Sequence, residues 1–158
     1  MSTPSPTKHF TIDEANHALP LVRAIVADIV RQYRDITERK ERLAQIQKSR
    51  GPKGRAAGDL YSEEVAQVEE DLEKEVAVLQ EYIEELEKLG VEIKDLSRGL
   101  VDFRSMLDGR EVYLCWLLGE EEVTHWHELD AGFAGRQSLL ATSASRTADA
   151  EDLGTKGA

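Results

Sequence analysis

Only one of the 158 residues is a cysteine, Cys115, so no disulfide can form within the chain. The paired-cysteine pattern of small secreted domains is missing, and a reducing compartment is the simpler setting. No stretch approaches the roughly 18 apolar residues that a membrane span needs. The opening MSTPSPTKHF has no apolar run of the kind found in a secretory leader. Positive charge is scarce as well, with 20 Lys and Arg against 31 Asp and Glu for a net charge of −11. That balance repels phosphate backbones and anionic headgroups. A cytoplasmic protein is expected, with neither nucleic acid nor a membrane as partner. G-x-S-x-G, Walker A, dinucleotide-fingerprint and C-x-x-C patterns are all lacking, which removes the usual signatures of hydrolases, nucleotide binders and dithiol enzymes.

What is present is helical periodicity. Thr11 and Glu14 form a T-x-x-E capping box, which predicts a helix start at Thr11. From there Ala15, Leu19, Val22, Val26, Ile29, Tyr33, Ile36 and Leu43 recur at steps of three and four, with only Lys40 out of character. This is the seam of a coiled-coil-like helix. Pro20 interrupts it, so a kink or break is expected near residues 17–20, with the helix then running to about Lys48. Residues 49–59, SRGPKGRAAGD, have no periodicity and read as the tip of a hairpin. A second seam follows at Val65, Val68, Leu72, Val76, Leu79, Ile83 and Leu86, ending at Leu89-Gly90, where glycine suits the left-handed residue after a helix. Charge is consistent with pairing the two helices: residues 62–89 hold eleven acidic and two basic side chains, residues 11–48 seven basic and six acidic. Two solvated faces would look the same, because exposed ion pairs contribute little.

After Gly90 the period falls towards two. VEIKDL and GLVDF read as strands, Asp108-Gly109 as the turn before EVYLCWLL, Gly119 to Glu121 as the next turn, and EVTHWHEL as the last strand. The predicted class is α+β, a long antiparallel helical hairpin followed by a small antiparallel β-meander. One domain is expected over residues 10–140, with the hairpin at 11–90 and the β-module at 91–140. Residues 1–9 and 141–158, small and polar, are expected to be a flexible N-terminus and a disordered tail.

The segments EAN at 14–16, LPLVR at 19–23, GLVDF at 99–103, LCW at 114–116 and WHELDAGFAGRQ at 126–137 resemble the bacterial DUF2203 family over about residues 9–140. The resemblance implies a helical hairpin with a C-terminal signature. It implies no activity and no catalytic set.

Alternation along EVTHWHEL places His125 and His127 on one face of a strand. Two imidazoles two residues apart can supply two ligands to a divalent metal ion such as zinc, with Glu128 and Asp130 as expected further ligands and Asp102 or the Cys115 thiolate as others able to complete the set. Half-buried histidines bonded to carboxylates or carbonyls would produce the same pattern. Gly132 and Gly135 let the chain fold back, so Arg136 and Gln137 become candidates for a small anionic ligand. The competing reading pairs Arg136 with Glu128 or Asp130. Glu14-x-x-His17 has the spacing of carboxylate-bridged metal centres in helix bundles, although Glu14 already serves the cap. Cys115 reads as a small apolar side chain, or as a nucleophile if His125 or His127 lies beside it.

Together these point to a non-enzymatic helical-hairpin protein that self-associates and carries a polar, metal-binding site in its β-module. The alternative is a metal-assisted hydrolase using the same residues. Ile25, Val30, Ile46, Val78 and Tyr82 widen the apolar stripe beyond one seam, so a homodimer or higher homo-oligomer is expected.

Overall fold

The computed structural model describes residues 8–56 and 59–140. The N-terminal segment through residue 7 and the tail from residue 141 lie outside the described residues. Two helices, α1 (Ile12–Ala56) and α2 (Asp59–Lys88), precede an antiparallel sheet of five strands in sequential order: β1 (Val91–Asp95), β2 (Leu100–Leu107), β3 (Arg110–Leu117), β4 (His125–Glu128) and β5 (Gln137–Ser138). A single 3-10 turn, Phe133–Gly135, lies between β4 and β5. Among the described residues no helix is long and apolar enough to cross a membrane.

The capping box forms as expected. The Thr11 amide donates to Glu14 Oε1 and the Glu14 amide to Thr11 Oγ1, both at 3.0 Å. The bond from the Thr11 amide, and after it the Thr11 hydroxyl, hold the Glu14 carboxyl below the usual carboxylate range. Of the kink or break expected near residues 17–20, the break is absent: α1 continues through Pro20. An interior proline costs about 3 kcal/mol, but Leu19, Val22, Val26 and Ile29 around it are all buried. Tertiary burial of that stripe outweighs the missing backbone bond.

The helix also passes its expected end at Lys48 and reaches Ala56, so the segment expected to be a loop is largely helical. Extending an established helix adds one hydrogen bond for each residue fixed, without a new nucleus, and this favours continuation through poor helix formers. The reversal at residues 57–58 lies outside the described residues. The return is antiparallel: Gln32 Nε2 donates to the Glu75 carbonyl (2.9 Å) and Arg39 pairs with the Glu75 carboxylate.

The sheet packs on the first half of the hairpin. Phe10 is buried, its ring lies edge-on 5.2 Å from that of Phe103, and its amide donates to the Arg104 carbonyl at 2.7 Å. Val91, Val101, Phe103, Val112, Leu114, Trp116 and Trp126 join the α1 stripe in one core. That core also buries Ile25 and Val30, two residues expected to widen a self-association face. The distal half differs. Beyond Ile36 and Leu72 the hairpin has only partly buried pairings such as Leu43 and Val68, and Ile46 there is 39% exposed.

The expected strand at 122–129 is shorter than its pattern. Residues 118–124 dock on α1 instead of continuing the ladder: the Val123 amide donates to Asn16 Oδ1 (2.7 Å), Arg23 Nη2 to the Glu121 carbonyl (2.9 Å), and Trp116 Nε1 to the Glu120 carbonyl (2.9 Å). The EAN and LPLVR segments therefore anchor this loop. Asn16→Ala leaves the Val123 amide without its acceptor and is expected to lower stability by about 1–3 kcal/mol in urea unfolding. An unchanged midpoint would show that the loop is held by its other contacts alone.

Candidate functional site

The sheet has a helix-facing apolar side and an opposite polar side, and strand register assembles the polar one. Glu92, Asp102, Cys115, His125 and Ser138 are direct partners across β1 to β5. Arg104, Tyr113 and His127 form the next row. The two histidines thus share a face, and the strands also bring Asp102 and Cys115 to it. Ligand atoms of Asp102, Cys115 and His127 all lie within 4.8 Å of one another. These residues are 2%, 0% and 2% exposed.

The hydrogen bonds of His127 define its protonation. Nδ1 lies 2.7 Å from the Glu128 carbonyl, which can only accept, so Nδ1 carries a hydrogen and donates it. Nε2 lies 2.9 Å from Asp102 Oδ1. A hydrogen bond there needs one further proton, held either on the imidazole or on the carboxyl. Burial pushes the Asp102 carboxyl up from its ordinary range, against the pull of His127 and Cys115. Burial, and then the negative charge of Asp102, push the Cys115 thiol up to about 12. Burial first, and the carboxylate after it, keep this thiol protonated, which disfavours a nucleophilic Cys115.

Around the cluster the other expected site residues have separate partners. His125 is half-buried, with Nδ1 2.9 Å from Thr124 Oγ1 and 3.8 Å from Glu120 Oε2. Glu128 pairs with Arg110 (2.7 Å), and Asp130 is exposed. Arg136 reaches Glu120 Oε1 (2.6 Å) and the Cys115 carbonyl (3.3 Å), so the lock expected with Glu128 or Asp130 is made with Glu120. Glu120 Oε1 accepts from the Leu117 amide as well (2.7 Å). Gln137 is exposed in β5 opposite Trp126. Phe133 borders this side, its ring 5.0 Å from the Arg136 guanidinium and 4.7 Å from that of Arg98. Glu14 is occupied by the cap and His17 is exposed.

Sequence reasoning placed Asp102 and Cys115 among optional ligands and missed Glu120. The available signal was Asp102 itself, an acid in the otherwise apolar run GLVDF. Glu120 gave none, because it sits in a turn among other acids.

Fold and site together define a class: a helical-hairpin protein with a small antiparallel sheet whose polar side buries an Asp/Cys/His cluster. The chain belongs to the DUF2203 family, described as an uncharacterized conserved protein, whose model matches residues 8–139. No curated protein and no solved structure matches it.

Proposed function

We propose that this protein is a non-enzymatic, self-associating helical-hairpin protein that holds one divalent, thiophilic cation such as zinc between Asp102, Cys115 and His127. The convergence of an oxygen, a sulfur and a nitrogen donor within 4.8 Å carries this reading. The bond from His127 Nδ1 to the Glu128 carbonyl supports it, because it fixes the ring with Nε2 turned to the cluster, as outer-sphere carbonyls do for metal-bound histidines. Binding of a cation replaces the proton shared by His127 and Asp102 and the thiol proton of Cys115. The Arg136 guanidinium nearby favours the thiolate.

Burial of all three groups favours holding an ion over turning over a substrate, since a metal-assisted hydrolase needs an open coordination position. His125, Glu128 and Asp130 flank the ion in this proposal, and Arg136 and Gln137 are not required to bind an anion. A lone buried cysteine of this kind suits the cytoplasm.

Elemental analysis of protein purified without an affinity tag, followed by zinc titration, tests the site. About one equivalent of zinc is expected, lost in Cys115→Ser and in His127→Gln and kept in His125→Ala. Wild-type protein that takes up no zinc on titration would refute the proposal. Metal retained by both ligand variants but lost from His125→Ala would move the site to the flanking residues.

A further inference from the structure

We propose that two copies pair through the distal halves of their hairpins, with α1 of each lying on α2 of the other, so that the hairpins point the same way and both sheets stand at one end. The proposal rests on the self-association reading above and adds the partner surface and its symmetry.

Apolar residues of the distal half that the monomer covers only in part mark the surface. Ile46 is 39% exposed, and the seam residues Leu43 and Val68 near it are only partly buried. Between the helices runs a groove of about 360 Å³ lined by Arg39, Arg42, Leu43, Ile46, Val68 and Asp71. The sheet, which covers Ile25, Val26 and Val30 nearer the base, does not line this groove. Two helices alone bury one stripe each, so an apolar partner here gains the usual benefit of area removed from water.

Charge identifies the occupant and its orientation. Residues 31–48 of α1 carry six basic and three acidic side chains, and residues 62–78 of α2 carry seven acidic and one basic. Among the described residues one ion pair crosses between the helices, Arg39 with Glu75. The opposite surpluses on α1 and α2 are therefore largely unspent within one hairpin. Closed pairing of identical chains uses a two-fold axis. An axis in the interface and along the hairpin stacks α1 on α2 of the partner twice, basic on acidic. An axis in the interface but across the hairpin stacks α1 on α1 and α2 on α2, like on like. Both arrangements make every neighbouring pair of helices antiparallel, as in an up-down-up-down bundle, and charge complementarity selects the first.

Sedimentation of the full chain at two salt concentrations tests both parts. A dimer is expected at low salt, weakened roughly tenfold at about 0.5 M NaCl, because screening removes attraction between opposite charges. Ile46→Lys is expected to sediment as a monomer with unchanged helical circular dichroism. A wild-type dimer that strengthens with salt would overturn the α1-on-α2 arrangement while keeping self-association. A wild-type monomer at about 100 µM in low salt, where even a weak dimer would be populated, would overturn both. An Ile46→Lys dimer would overturn this surface. Were that variant to lose helicity, the charge reversal Arg42→Glu provides the same comparison.

Discussion

Gly99→Ala is expected to be among the most damaging changes of a single methyl group, lowering stability by about 2–4 kcal/mol. Gly99 has φ +76°, and a Cβ there would lie 2.9 Å from Leu118 Cβ, 2.9 Å from Val26 Cγ1 and 3.0 Å from Val30 Cγ2. The backbone at this position also holds the sheet: its amide donates to the Asp95 carbonyl (2.9 Å) and its carbonyl accepts from the Leu118 amide (3.0 Å). The chain cannot retreat from α1 without losing those bonds. The turn before it is stiff, because the Asp95 carboxylate accepts from the Ser97 amide, the Ser97 hydroxyl and the Arg98 amide. Gly109→Ala is the control. Its φ is +79° and nothing lies within 4 Å of the added carbon, so it carries the backbone strain without the clash, about 1 kcal/mol. Urea unfolding of both variants separates the two contributions. Equal losses would mean that the approach of α1 to the sheet at Gly99 is looser than the structure shows.

Asp102→Ala is expected to be the second large loss, about 3–5 kcal/mol, because it removes one partner of a buried pair and leaves the other in place. His127 would keep its bond to the Glu128 carbonyl, but Nε2 would lose its carboxylate partner and face a cavity bordered by the weakly bonding Cys115 thiol. Asp102→Asn is expected to cost far less, about 1 kcal/mol, since the amide can donate to Nε2 and fills the same space. Both substitutions remove the carboxylate and are expected to abolish stoichiometric zinc. Comparing unfolding midpoints with metal content therefore separates support of the fold from ligation. Equal stability for the Ala and Asn variants would show that the hydrogen bond to His127 contributes little.

Much of the architecture was legible because it rests on period. The capping box at Thr11 and Glu14, both seams, the stop at Gly90 and the strands from Val91 to Leu117 depend on neighbours within a few positions. The turn at Asp108-Gly109 is similar: φ is +55° and +79° at those two residues, as a tight hairpin with this dipeptide requires. The break at Pro20 and the loop after Lys48 were wrong expectations for the opposite reason. Local propensity opposed helix in both places, whereas burial on the sheet in one and continuation of an existing helix in the other outweighed it.

The site was legible only in part. Alternation correctly put His125 and His127 on one face, but the groups gathered closely with His127 come from β2 and β3, and a shift of one residue in either register would send Asp102 or Cys115 to the apolar side. Docking of residues 118–124 on α1 through Asn16 and Arg23 likewise depends on contacts about a hundred positions apart. The sequence by itself determined the α+β class, the two helices, the order of the first strands and the acidic surface, since these follow from short-range pattern and composition. Tertiary structure alone decided that His127 is buried on Asp102 beside Cys115, that Arg136 is locked to Glu120, and that the distal hairpin keeps an uncovered stripe. Each of those depends on which residues the packed sheet and hairpin bring within a few ångströms, a property that no local period encodes.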